Sequence, residues 1–146
     1  MVNSFFCIFA ACMEIKNELT KKERISSKTE IDLLFTKGSS FVVYPLRLVY
    51  FENIREEGED RPAVSIMASV SKKKFKRAVK RNRLKRLIKE SYRLNKSLLI
   101  DKIDQSKFVS LGFVYLSHEE KSYSEIESAM QQALKMLSVR ITGIEL

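Results

Sequence analysis

Two cysteines and one histidine occur among the 146 residues, and each scarcity removes a class of protein. Both thiols, Cys7 and Cys12, fall in the stretch FFCIFAACM. The rest of the chain therefore carries no disulfide framework, which fits a reducing compartment. His118 has neither a thiol nor a second imidazole near it in sequence, so it cannot seed a zinc cluster and reads as a surface residue. No apolar run is long enough to span a bilayer. The N-terminal run follows MVNS, which has no Lys or Arg, so it lacks the charged start of a secretory signal, and its FAAC only faintly resembles a lipoprotein cleavage site. Two prolines and four glycines leave no low-complexity linker, and no internal repeat is present. Residues 1–18 are expected to be an N-terminal extension, either disordered or the product of a start placed upstream of Met13, followed by one domain over 19–140 and a tail over 141–146.

Acidic residues are scarce in one place only. From Ser71 to Lys96, SKKKFKRAVKRNRLKRLIKESYRLNK, thirteen Lys and Arg face the single Glu90, a local charge of +12, so the remainder of a chain with net charge +9 is mildly acidic. Concentrating like charge costs self-repulsion that a polyanion relieves, which makes nucleic acid or an anionic membrane the expected partner. A short lysine run is ordinarily a solvated face; thirteen cations in one window are too many for that reading.

The 45% hydrophobic content is enough for one core and one domain. Ser26, Ser27 or Thr29 can cap a first helix from about Ser27 to Lys37, with Ile31, Leu34 and Phe35 at helical spacing and Gly38 as a stop. FVVYPLRLVYFE alternates, with Leu46, Leu48 and Tyr50 on one side and Arg47, Val49 and Phe51 on the other. AVSIMASVS alternates too, and the two segments read as an antiparallel hairpin joined by NIREEGEDRP. KFVSLGFVYLS has the continuous apolar character of a central strand. SYSEIESAMQQALKMLSV opens with a Ser122 to Glu125 capping box and continues as an amphipathic helix. The element order is αβββαβα or close to it, an α+β domain.

Wound as a helix from about Val79 to Leu94, the basic segment places Leu84, Leu87, Ile88, Ser91 and Tyr92 on one side and Asn82, Lys85, Arg86, Lys89 and Arg93 on the other. One helix both docks on a core and presents cations. A membrane-surface helix needs hydrophobes with no other task, whereas these are needed to cover a sheet. The arginines can hold phosphate in a planar fork, and Asn82 offers donors and an acceptor to an RNA backbone. Nucleic acid is the favoured partner.

KRAVKRNRLKRLIKESYR, with SVSKK before it and FTKGSSF at the end of the first helix, resembles the protein subunit of bacterial ribonuclease P from about Leu19 to Val139. The signature is Arg81-Asn82-Arg83 followed by Lys85 and Arg86. The resemblance implies a fold of the ribosomal protein S5 domain 2-like type, with a four-stranded sheet and a left-handed βαβ crossover through the basic helix. It implies that the chain binds a large catalytic RNA in the cytoplasm, together with precursor tRNA, and supports endonucleolytic removal of the 5′ leader. Mg²⁺-dependent hydrolysis then belongs to the RNA, and this chain alone binds no metal, needs no protein partner and touches no membrane. RNA contacts are implied for Lys72, Lys73, Lys76, Arg77, Arg81, Asn82, Arg83, Lys85, Arg86, Lys89 and Arg93. A leader cleft is implied for Phe35, Arg47, Val49 and Phe51, with Arg81, Asn82, Lys85 and Lys89 on its helix side; Phe35 reads equally well as a core residue. The chain departs from the family pattern at Ile31, where many members have an aromatic, at Val49, where some have Tyr, and in the extra cations of KKKFKRA.

No HExxH, histidine pair or spaced carboxylate cluster supplies a self-contained nuclease site, so no catalytic residue is assigned. Of three alternatives, a DNA-binding protein would need a second helix close by where strands flank this one, a protein-only nuclease is disfavoured by the lack of carboxylates, and a ribosomal or RNA-chaperone protein that binds RNA or DNA without processing it stays open.

Overall fold

The alternation in the second apolar segment sorts its side chains onto two faces of a sheet. The structure is a computed structural model that describes residues 19–59 and 61–143. Leu46 and Leu48 enter the main core, while Val49 and Phe51 enter a smaller one on the opposite face. The N-terminal extension with its two cysteines, and residues 144–146 of the expected tail, lie outside the described residues.

Ser27 is the N-cap of α1 (Lys28–Lys37), as its sequence position predicts. Gly38 ends it, but for reasons of space: its backbone is extended, and a Cβ there would sit 2.2 Å from the Leu34 carbonyl oxygen and 2.9 Å from that of Tyr50. Only glycine lets α1 turn so tightly onto the sheet.

The expected hairpin between the first two strand segments is corrected by the structure. Pro45, which has no N–H to give to a ladder, splits FVVYPLRLVYFE into β1 (Ser39–Val43) and β2 (Leu46–Ile54), and these two pair antiparallel across the cis Tyr44–Pro45 peptide. β2 then pairs antiparallel with β4 (Lys107–Tyr115), and β3 (Val64–Val70) lies parallel to the other side of β4. The sheet order is β1-β2-β4-β3, so β2 and β3 are not neighbours. A parallel pair requires a crossover, and the crossover here contains the basic helix. Central placement of β4 suits its composition, because seven of its nine residues are buried, as the continuous apolar run predicts.

The basic helix, α2 (Ala78–Asn95), is followed by a one-turn helix, α3 (Ser97–Ile100), that the sequence reading did not contain. The final helix, α4 (Tyr123–Thr142), starts at its capping box, with the Ser122 N–H donating to Glu125 Oε2 at 3.0 Å, and ends at Gly143 in the left-handed region, φ 69°. α2 and α4 cover one face of the sheet. Leu84, Ile88 and Tyr92 meet Leu48, Leu111 and Phe113 there, all in the main core; burying each large side chain is worth about 1.5–3 kcal/mol. α1 covers the other face, where Leu34 and Ile25 close over Val49.

Candidate nucleic-acid interface

α2 forms because Leu, Lys and Arg predominate in it, all good helix formers, and because its apolar stripe has a sheet to cover. Leu84, Ile88, Ser91 and Tyr92 are buried and Leu87 is half-buried, so the two faces read from the sequence hold. Ser91 satisfies its hydroxyl within the helix by donating to the Ile88 carbonyl at 2.8 Å.

The three signature residues go to three different places. The Arg81 guanidinium turns back and donates from Nη1 to the carbonyl oxygens of Phe75 at 2.8 Å and Lys76 at 2.9 Å. Asn82 faces a groove beside the N-terminal segment, and Arg83 faces the opposite flank, next to Leu87 and Tyr123 at the start of α4. Arg81 Nη1 thus helps to hold the loop in front of the helix. Phe75 anchors the same loop, being buried with its ring 5.8 Å from that of Tyr115. Lys74 is also bound, donating to the Leu116 carbonyl. The cations that remain exposed on the fastened loop and first turn are Lys72, Lys73, Lys76, Arg77 and Lys80. No acidic residue stands in the first turn of α2, so cations crowd the end of the helix whose dipole is positive, an arrangement that costs stability until an anion arrives.

The second half of the exposed face lines a groove of about 530 Å³ against residues 19–25, hereafter the strap. Asn82, Lys85, Arg86, Lys89 and Arg93 form the helix wall, and Leu19 and Arg24 the strap wall. Glu90 lies here too, but both its oxygens are taken by Arg93, from Nε at 3.0 Å and Nη2 at 2.6 Å. That bonding holds the Glu90 carboxyl below the usual carboxylate range and raises the Arg93 guanidinium. Partial burial, then the charges of Arg24 and Lys85, push the Lys89 ammonium below the ordinary lysine value.

The strap is ordered by its own capping pattern. The Glu23 carboxylate accepts from the Thr20 N–H at 2.8 Å and, through Oε1, faces Lys96 Nζ at 3.3 Å in a buried pair. The Ile25 N–H donates to the Ile66 carbonyl at 2.8 Å, laying the strap along the outer edge of β3. The sequence reading missed Leu19 and Arg24. A signal existed, since Thr20-Lys-Lys-Glu23 has the spacing of a capping box and marks an ordered turn.

The four residues expected in a leader cleft share one face of the sheet but not one degree of access. Phe35 is 46% exposed, with its ring over the backbone of Gly112. Arg47 is exposed and donates to Ser40 Oγ at 3.2 Å. Phe51 is half-buried and, like Ile31 and Met67, packs against the small core of Ile25, Leu34 and Val49. Val49 is corrected to a core position: Leu34 and Ile25 cover it to 3% exposure, so it supports the wall and cannot touch a ligand. Asn82, Lys85 and Lys89, expected on the helix side of that cleft, meet the strap on α2, which packs on the other sheet face. His118 is exposed, as expected. Among the described residues no three His, Cys, Asp or Glu side chains come together as a metal cage, and no helix is long and apolar enough to cross a membrane.

These features define a class, a small α+β protein that carries a cationic helix in the crossover of a mixed four-stranded sheet. The family model for ribonuclease P matches residues 19–138. The ribonuclease P protein component of Porphyromonas gingivalis is 46% identical over 127 residues, covering 86% of this chain and 87% of that relative. The component of Chlorobium phaeobacteroides is 31% identical over 135 residues, covering 88% and 92%. Among solved structures, the Staphylococcus aureus RNase P protein has a TM-score of 0.60 at 22% identity, covering 79% of this chain and 94% of that one. The Thermotoga maritima protein gives 0.61 at 19% identity, covering 78% and 96%; these two likenesses concern the fold. The chain belongs to the ribonuclease P protein family.

Proposed function

We propose that the chain is the protein component of ribonuclease P, which binds the catalytic RNA and the 5′ leader of precursor tRNA and so supports release of the mature 5′ end. The observation that carries this reading, beside family membership, is the loop and helix from Lys72 to Arg93. Its cations stand exposed or half-buried, and its one carboxylate is already neutralised by Arg93. Phe35 and Arg47 supply a ring and a cation on the α1 side of the sheet, suited to a single strand of loose sequence preference. Mg²⁺ in this reading is held by the RNA, where it supplies charge stabilisation for phosphodiester hydrolysis. This chain's part is to neutralise backbone charge and orient the strands, in the cytoplasm.

The test is reconstitution with a bacterial ribonuclease P RNA at low Mg²⁺, assaying precursor-tRNA cleavage with each component omitted in turn. Cleavage by the mixture and by neither component alone is expected. A protein contacting 6–10 phosphates should lose about 10³–10⁵ in affinity between 50 and 200 mM salt. Salt-sensitive RNA binding without any stimulation of cleavage would refute the processing role and favour an RNA-chaperone function.

A further inference from the structure

The groove between strap and helix has cations on two walls that come from segments far apart in the chain. On the strap side Arg24 makes no side-chain hydrogen bond or ion pair with any described residue; on the helix side stand Lys85 and Lys89. The nearby acid, Glu90, is already taken up by Arg93. Among the described residues, like charges therefore face each other with no free carboxylate between them, and partial burial first, then the charges of Arg24 and Lys85, lower the Lys89 ammonium. A flexible strap would swing away, but this one is fixed on both sides of Arg24: Glu23 is buried against Lys96, and Ile25 is bonded to Ile66. The fold thus holds a cationic cleft open at an electrostatic cost, which a bridging anion would remove.

We propose that this groove seats an RNA phosphodiester strand and that Arg24 is its strap-side phosphate contact. The proposal rests on the reading of the chain as an RNA-binding subunit and adds a wall outside the basic helix. The phosphodiester backbone can belong to the catalytic RNA or to the leader of precursor tRNA; the chemistry of the contact is the same.

The experiment uses the full chain with Arg24→Gln and Arg24→Lys. Both should fold, because the residue's backbone, not its guanidinium, bridges to Ile66, and thermal melting checks this. One arm measures binding to ribonuclease P RNA alone. The other measures binding of precursor and mature tRNA by the holoenzyme at saturating catalytic RNA, each at several salt concentrations. In at least one arm Arg24→Gln should weaken binding by roughly two- to fivefold and flatten the slope of log affinity against log salt by about 0.7–0.9, while Arg24→Lys restores most of the slope. The arm that responds identifies the strand. Wild-type affinity and slope for Arg24→Gln in both arms would overturn the proposal. Failure of the wild-type protein to bind RNA in either arm would instead overturn the functional reading beneath it.

Discussion

Lys96 and Glu23 form a buried ion pair, 3.3 Å from Nζ to Oε1, at the point where the end of α2 meets the strap. Two charges withdrawn from water hold only while both are present. Lys96→Met alone should therefore cost about 3–5 kcal/mol in urea unfolding, whereas Glu23→Leu combined with Lys96→Met should recover wild-type stability to within about 1 kcal/mol or exceed it. A single variant as stable as wild type would show that water reaches the pair.

Arg81 and Arg83, one residue apart on either side of Asn82, should behave differently. Arg81 donates from Nη1 to two loop carbonyls, so Arg81→Ala should lower stability by about 1–2 kcal/mol, and Arg81→Lys should restore only part of it, since the shorter lysine side chain must bring one nitrogen within reach of both carbonyls. Arg83 is exposed, so Arg83→Ala should leave unfolding unchanged while reducing RNA affinity and its salt slope by about one contact. Equal stability losses for the two would remove the distinction.

Phe35 offers a half-exposed ring above Gly112. In the holoenzyme Phe35→Ala should weaken binding of precursor tRNA bearing a leader by about 1–3 kcal/mol, the usual worth of a stacked base. Mature tRNA, which has no leader, should bind as before. A loss shared by both would place the ring in core packing alone.

Lys89 has an ammonium whose pKa is lower in the fold than in the unfolded chain, through burial and then the charges of Arg24 and Lys85. The fold therefore disfavours its proton, and the penalty is fully present below the depressed value. It fades as pH rises toward the ordinary lysine pKa of about 10.4. Lys89→Gln should accordingly stabilise the free protein by about 0.2–1 kcal/mol at pH 7, with the gain disappearing near pH 11. The same variant should bind RNA more weakly. Urea titrations at both pH values, beside RNA titrations at pH 7, check the opposed signs.

Local pattern was legible and pairing was not. The caps at Ser27 and Ser122, the apolar stripe of α2 and the central character of β4 each depend on residues within a turn or two of one another. Which strand lies beside which depends on contacts distant in sequence, and alternation states only which side chains share a face. Hence the two sets around Leu46 and Arg47 were read correctly, while the partner of β2 was misassigned. Lys96 looked like the last member of a cationic run; its partner Glu23 precedes it by 73 residues, and nothing in the run marks it as buried. Arg81 was hidden by its setting, because the carbonyls it binds belong to the backbone and leave no trace in side-chain identity. Val49 alternated with its neighbours as a cleft residue would, and only the closure of α1 and the strap over it settles the matter.

The place of β4 has a consequence in time. Because β4 lies between β2 and β3, those two strands have no ladder with each other, and the sheet cannot close until residues 107–115 exist. During synthesis, at about 5–20 residues per second from the N-terminus, α2 emerges before the strand that completes the surface beneath it. For that interval Leu84, Ile88 and Tyr92 lack part of their cover while the cations beside them are already displayed. One segment therefore carries an uncovered apolar stripe and a dense positive charge together until β4 joins the sheet, so its exposure lasts as long as the synthesis of residues 96–115.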